Sequence, residues 1–175
     1  MYRAMIFKSR WGWMAVVESD KGLVSIILPQ RSRATVAAGL RGRGSKAFEE
    51  GSSPRLKAAR NQLCEYLDGT RTAFDLTLDF SQGSIFQQQV WKQLQLVPYG
   101  RLRSYGALAS RVGGRQYARA VGGAVGANPL PIVVPCHRIV AEDASIGGFS
   151  SGLPAKRKLL ALEGTLSQLR GTGRD

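Results

Sequence analysis

Cys136 and His137 are adjacent, they lie between Pro135 and Arg138, and β-branched residues enclose them, Ile132-Val133-Val134 on one side and Ile139-Val140 on the other. An apolar run of that kind reads as a buried strand, so polar chemistry at its centre conflicts with the local pattern, and such conflicts mark functional sites. Pro135 has no amide hydrogen for a sheet ladder, so the strand must end or bend there and leave Cys136 on a turn with a fixed approach. His137 is the only histidine and Cys136 one of two cysteines, so the one side chain that ordinarily titrates near neutrality lies beside a thiol. Arg138 adds positive charge, which favours thiolate over thiol. The bland alternative is a capped strand with a small buried Cys and a partly exposed His; the turn, the lone His and the Arg together favour a nucleophile. Adjacent residues on extended backbone project to opposite sides, so the expected proton path from sulfur to imidazole runs through a bridging water.

Elements on both sides must position this turn. Residues 2 to 8, 12 to 18 and 22 to 28 are short runs of Val, Ile, Phe, Trp and Met separated by turn residues, which predicts an antiparallel meander. From Pro29 to Pro54 the composition shifts to Arg, Gly, Ser and Ala, which predicts a long loop with at most one weak helical turn. Pro54 opens a helix to Asp68 with Leu56, Leu63 and Leu67 on one face and Gly69 as its stop. Cys64 beside that face reads as a small packed residue. Residues 73 to 80 alternate as a further strand, and Ser81-Gln82-Gly83 marks a boundary between domains at 1–80 and 81–175.

After that boundary Ser84 caps a helix from Ile85 to about Leu96, and Ser104 caps a short one from Tyr105 to Val112. Gly113-Gly114-Arg115 makes a tight turn before a third helix, Gln116 to about Ala127. Two short helices joined by a Gly-containing turn read as a helix-turn-helix, although such hairpins also occur without DNA contact. Helix 116–127 holds Gly122, Gly123 and Gly126, each costing roughly 1 kcal/mol against alanine. Close approach of another backbone, protein or DNA, would justify them. Arg119 protrudes among these small neighbours, either as a surface charge or as a wedge that enters a groove and fills the gap left by an extruded nucleotide. Residues 147–152 form a Gly- and Ser-rich loop with one aromatic ring, Phe149. Pro154 begins a last helix to about Leu162 with Lys156, Arg157 and Lys158 in its first turns and Glu163 at its end. Those charges oppose the macrodipole at both ends, so tertiary or functional contacts must decide them: the basic residues could meet phosphates and Glu163 could orient an imidazole. Residues after Thr165 read as a frayed tail.

The formal net charge is +13, and no acid occurs between Asp79 and Glu142, a stretch that carries Lys92, Arg101, Arg103, Arg111, Arg115, Arg119 and Arg138. A field of one sign around the candidate nucleophile suggests a polyanion such as nucleic acid as partner. Two cysteines and one histidine make neither a disulfide framework nor a zinc set, so both thiols are expected free in a reducing compartment. Lys8, Arg10 and Gly12 interrupt the apolar N-terminus, which argues against a signal peptide or a membrane span.

Taken in order, Phe86-Gln87-Gln88-Gln89-Val90-Trp91, Pro98-Tyr99-Gly100, Ser104-Tyr105, Ala118-Arg119-Ala120-Val121-Gly122, Asn128-Pro129, Val133-Val134-Pro135-Cys136-His137-Arg138-Ile139-Val140 and Leu162-Glu163-Gly164 resemble the O6-alkylguanine-DNA alkyltransferase family of direct-reversal repair proteins. The likeness is strong over about residues 80 to 165 and holds only in outline before them. It implies an α+β fold of two domains, an N-terminal antiparallel sheet with helix and a mostly helical C-terminal domain carrying the helix-turn-helix, and a damaged guanine flipped out through the minor groove. By this resemblance Cys136 would accept the alkyl group, His137 would deprotonate it through water, Glu163 would polarise His137, Asn128 would hold the active-site backbone and Tyr105 would assist protonation of the departing guanine. Arg119 would be the finger replacing the flipped base, with Ala118, Gly122, Ser104 and Arg138 also at the DNA. Tyr105, Val134, Ile139, Phe149, Ser150 and Ser151 would line the base pocket; Phe149 stands where a tyrosine is often found, so a hydroxyl contact there is lost. The implied partner is double-stranded DNA containing O6-alkylguanine, with no metal or other cofactor and no membrane. The protein would act as a monomer, with cooperative assembly along DNA left open, in the cytoplasm or, in a nucleated cell, the nucleus. A thioether is not readily hydrolysed, so each molecule would react once. A cysteine hydrolase and a DNA-binding regulator with a redox-sensing Cys136 are the alternatives from other classes.

Overall fold

Short runs rich in aromatic, β-branched and other apolar residues build three strands, β1 (Tyr2–Ser9), β2 (Gly12–Glu18) and β3 (Leu23–Gln30), in a computed structural model that describes residues 1–42 and 48–171. The chain forms two units, Met1–Gln82 and Gly83–Asp175. In the first, β1 pairs antiparallel with β2 from Arg3↔Glu18 to Ser9↔Gly12, and β2 pairs antiparallel with β3.

The stretch expected as a long loop is largely structured. Helix α1 (Arg33–Gly42) follows β3, and Ser32 Oγ accepts the Thr35 amide at its start. Val36 and Leu40, one turn apart, join Ala4, Ala15, Val17, Val24 and Ile27 in the sheet's core. Strand β4 (Phe48–Glu50) then pairs parallel with β1, so the sheet, ordered β3-β2-β1-β4, is mixed rather than wholly antiparallel. The part of that expected loop at 43–47 lies outside the described residues. Arg33 forms an ion pair with Glu50.

Helix α2 (Pro54–Leu67) has the start its sequence predicts, with Ser53 Oγ accepting the Leu56 amide and Pro54 in the first turn; Leu56, Ala59, Leu63, Tyr66 and Leu67 are its buried face. Residues 73–80 are not a ladder strand. The segment is hydrogen-bonded to the first residue of β3, where Leu23 donates to Thr77 O and accepts from the Asp79 amide, giving the isolated bridge Leu23↔Leu78.

The second unit contains α3 (Ile85–Leu94), β5 (Arg103–Ser104), α4 (Tyr105–Val112), α5 (Ala118–Gly126), β6 (Ile139–Val140) and α6 (Leu153–Leu162). A capping box starts α3: Ser84 Oγ accepts the Gln87 amide and the Gln87 side chain accepts the Ser84 amide. Trp91 Nε1 donates to Ala124 O at 2.8 Å and ties α3 to α5. Ser104 Oγ accepts the Ala107 amide and caps α4. Gly113 and Gly114 turn the chain, and a 3-10 turn, Arg115–Tyr117, leads into α5. The expected frayed tail is partly packed: a 3-10 turn spans Leu166–Gln168, Leu169 is buried with Val140 and Leu160, and the Arg170 amide donates to Ala144 O. Apolar side chains at 166 and 169 are what hold it. Residues 172–175 lie outside the described residues.

Candidate active site

The backbone around Cys136 is held in a conformation that its sequence would not choose locally. Ile132 has φ 76°, the left-handed region that a β-branched residue avoids. Asn128 supports it with both ends of its amide: Nδ2 donates to Val134 O at 2.8 Å and Oδ1 accepts the Leu130 amide at 3.0 Å. The Val134 amide donates to Leu130 O, which closes the loop. At Pro135 (φ −80°, ψ 64°) the Cys136 amide donates to Val134 O at 2.8 Å, an inverse γ-turn. Cys136–Arg138 is then a single 3-10 turn. This corrects the expectation of extended backbone: with three residues per turn, neighbouring side chains diverge by roughly a third of a revolution rather than pointing to opposite sides. Ile139 and Val140 continue as β6, paired parallel with Arg103 and Ser104 of β5.

His137 is fully buried (0% exposed), with Nε2 2.8 Å from Glu163 Oε1. A carboxylate only accepts, so Nε2 carries the hydrogen in the neutral ring and Nδ1 is the basic nitrogen. Arg138 grips the same carboxylate, Nε to Oε2 and Nη2 to Oε1, each at 2.8 Å, while Nη1 donates to Val97 O at 2.6 Å and the guanidinium lies 5.7 Å from the Tyr99 ring centre. Arg138 is 5% exposed. Its expected place at the DNA is therefore overturned, as is its expected role beside the thiol, because its charge is spent on Glu163. Glu163, the residue that ends α6, is thus oriented by the arginine and in turn orients the imidazole.

The cation that acts on Cys136 is Lys156. It is 0% exposed, and its Nζ donates to Ile139 O at 2.6 Å and Gly148 O at 3.1 Å, joining the strand after Cys136 to the Gly147–Gly152 loop. The expectation that Lys156 meets phosphates fails for it; Arg157 and Lys158 beside it are exposed. Burial lowers the Lys156 ammonium to about 8, against the pull of the Cys136 sulfur. Burial pushes the Cys136 thiol, itself 4% exposed, up, opposed by the Asn128 amide and the Lys156 ammonium. Burial also holds His137 below the imidazole value despite Glu163, so at neutral pH the ring is uncharged, the state a base requires. The sign of Lys156 against the helix dipole was the sequence signal that it had a tertiary partner.

Tyr105, the first residue of α4, is half-buried, and burial and then the Cys136 sulfur raise its phenol. Its ring packs on Gly122 and Gly147, where an added Cβ would lie 3.9 Å and 3.3 Å from it. Val134 and Ile139 are fully buried (0%), Phe149 is half-buried, and Ser150 and Ser151 are exposed; a hydrogen bond from Gly152 N to Phe149 O closes their turn. On α5, Arg119 is exposed and Ala118 half-exposed. An added Cβ at Gly122 would make only ordinary contact with the Tyr105 ring, and one at Gly123 or Gly126 would meet nothing, so protein packing requires none of the three glycines. Ser104 is half-exposed and occupied by its cap and by Glu142. Among the described residues no group of three His, Cys, Asp or Glu could hold a metal, and no helix is long and apolar enough to cross a membrane.

Residues 85–165 match the family model of the 6-O-methylguanine DNA methyltransferase, DNA binding domain. The methylated-DNA-protein-cysteine methyltransferase of Mycolicibacterium paratuberculosis is 49% identical over 112 residues, 63% of this chain and 67% of the relative. The constitutive enzyme of that name from Bacillus subtilis is 42% identical over 116 residues, 66% of this chain and 70% of its own. The matched stretch thus spans about two thirds of these relatives. Among solved structures, Mycobacterium tuberculosis OGT in complex with DNA is similar with a TM-score of 0.78 and 32% identity over 97% of this chain and 96% of that one. The O6-methylguanine-DNA methyltransferase of Pyrococcus kodakaraensis is similar with a TM-score of 0.68 and 31% identity, over 94% and 99%.

Proposed function

The chain belongs to the methylated-DNA-protein-cysteine methyltransferase family, and from that premise we propose that it repairs duplex DNA by moving the alkyl group of O6-alkylguanine onto Cys136, once per molecule. The observation that carries this reading is a buried thiol followed directly by an imidazole whose far nitrogen is held 2.8 Å from a buried carboxylate. His137 Nδ1 takes the thiol proton through a water, and Glu163 stabilises the imidazolium that forms. The thiolate attacks the alkyl carbon, the carbon–oxygen bond breaks, and its electron pair leaves with guanine, which Tyr105 helps to protonate. The product thioether has no acyl carbon and no good leaving group, so the sulfur is consumed. Asn128 and Lys156 favour the thiolate before attack and fix the strand that presents it. Cys136 and the α4–α5 pair both lie in the second unit, within the residues the family model matches, which supports this reading.

Intact-mass measurement after incubation with a duplex containing O6-methylguanine tests this directly. One methyl group per protein, mapped to Cys136, is the expected result; an unchanged mass from a folded protein overturns it, and repeated cleavage of an ester or amide would identify a hydrolase instead.

Flipping is assigned to the α4–α5 helix-turn-helix, lying in the minor groove with exposed Arg119 filling the vacated stack. Arg119→Ala is expected to slow repair in duplex by about tenfold or more while leaving reaction with free O6-benzylguanine within roughly twofold. Equal losses on the two substrates would remove the finger role.

The pH profile should show the neutral base and the one cation, Lys156, behind the thiolate. A neutral His137 serves as base above its lowered value, so the single-turnover rate is flat near neutrality. Above about 8 Lys156 loses its proton, and the rate is expected to fall where that of an ordinary thiol would climb. In Lys156→Met the fall should vanish with a lower plateau; a wild-type rate still climbing past about pH 9 would exclude the lysine. Stability runs the other way for this group: the unfolded lysine keeps its proton above about 8 while the folded one has lost it, so stability rises with pH in that window.

A further inference from the structure

Glu142 lies two residues beyond β6, yet its exposed carboxylate is tied to the helix-turn-helix. Oε1 accepts from Ser104 Oγ and from the Gly106 amide, both at 2.8 Å, and Oε2 lies 3.3 Å from Arg115 Nη2. Ser104 caps α4, Gly106 is in the first turn of α4, and Arg115 opens the 3-10 turn into α5. The first turn of α4 contains no acid of its own, so Glu142 supplies from a distant segment the negative charge that free helix amides favour. Gly106 admits it, since a Cβ there would collide with Glu142 Oε1. Between the two α4 donors sits Tyr105, whose ring packs on Gly122 of α5 and on Gly147.

We propose that Glu142 is a positioning residue that locks the first helix and the turn of the helix-turn-helix onto the strand leaving Cys136, so that the DNA-reading helix and Tyr105 keep a fixed setting relative to the acceptor sulfur. It touches no substrate and acts chiefly through Ser104 and Gly106, the exposed pair to Arg115 adding little. The inference rests on the alkyl-transfer reading, and it concerns duplex more than free base, because only the duplex must be registered by α5 and the sulfur together.

The test compares wild type, Glu142→Ala, Glu142→Gln, Gly106→Ala and the Gly106→Ala/Glu142→Ala double variant. Single-turnover rates are read with an O6-methylguanine duplex and with free O6-benzylguanine, alongside thermal melting. Glu142→Ala is expected to lose about tenfold or more in duplex rate relative to its loss on the free base. Glu142→Gln should stay within roughly threefold of wild type, because its amide oxygen still accepts from Ser104 and Gly106 and the exposed ion pair to Arg115 contributes little. Gly106→Ala should mimic Glu142→Ala, and the double variant should be no worse than Gly106→Ala alone, since the two changes break one contact. Equal losses on both substrates in step with melting temperature would reduce Glu142 to a structural cap and overturn the proposal. A Glu142→Gln rate above wild type on duplex would overturn it too, by showing that the carboxylate opposes DNA. Wild type that takes up no methyl group would overturn the alkyl-transfer reading itself, whereas methylated wild type with a Glu142→Ala variant equal to it on both substrates would overturn this inference alone.

Discussion

Cys136→Ser is expected to fold, bind DNA and transfer nothing. Oxygen for sulfur at a position 4% exposed changes volume little, and the hydroxyl inherits polar neighbours in Asn128 and Lys156, so the usual cost of about 1–3 kcal/mol for an unpaired buried hydroxyl is largely offset. Chemistry is another matter. Burial already holds the thiol up, and Asn128 and Lys156 offset that only in part. A hydroxyl is far less acidic than a thiol and a poorer nucleophile toward an alkyl carbon, and an imidazole held below its ordinary value is a weaker base for its proton. Loss of a nucleophile in such a unit costs about 10⁴-fold or more. Single-turnover assays on lesion duplex, with a gel-shift control for DNA binding, check it. Repair by the serine variant at a tenth of the wild-type rate, roughly, would mean that another group accepts the alkyl.

The acceptor turn was legible because its elements are neighbours in the chain: a proline that breaks the strand, then Cys136 and His137 with apolar arms on both sides. The same holds for α3 and α4, whose Ser84 and Ser104 caps announce themselves within three residues, and for α2, which Pro54 opens. Charge read from sequence misled at Arg138 and Lys156, where burial decided what the cation meets. Arg138 and Lys156 look like surface cations in a basic chain, yet one clasps Glu163 and the other two backbone carbonyls. Where few residues reach the core, periodicity is faint: α1 buries only Val36 and Leu40, and it was hidden among Arg and Gly. β4 has three residues and a partner more than forty positions away, which no local pattern encodes. Residues 73–80 show the reverse error, since alternation predicts an extended backbone but not whether a partner edge is free. Glu142 belongs with β4: its partners at 104, 106 and 115 exist only once the chain has folded.

Glu163→Ala is expected to damage stability and chemistry together, and the two can be separated. Removing the carboxylate leaves the Arg138 guanidinium, 5% exposed, with Val97 O and the Tyr99 ring in place of a two-pronged anion. Breaking a buried pair from one side costs about 3–5 kcal/mol, a large part of the roughly 5–15 kcal/mol that holds a domain folded. Urea denaturation should therefore show a midpoint well below wild type. Alkyl transfer should fall by about 10³–10⁴-fold, as when the orienting carboxylate of a nucleophile-histidine pair is removed, because the imidazolium formed on taking the thiol proton loses its counter-charge. The paired change Glu163→Leu with Arg138→Met removes both buried charges, so it should recover most of the lost stability without recovering the rate. If the paired variant regains activity as well, the carboxylate acts only by neutralising Arg138, and His137 needs no partner. If Glu163→Ala melts within about 1 kcal/mol of wild type, the 2.8 Å contacts are not the clasp described above, and the acceptor turn must be held by Asn128 and Lys156 alone.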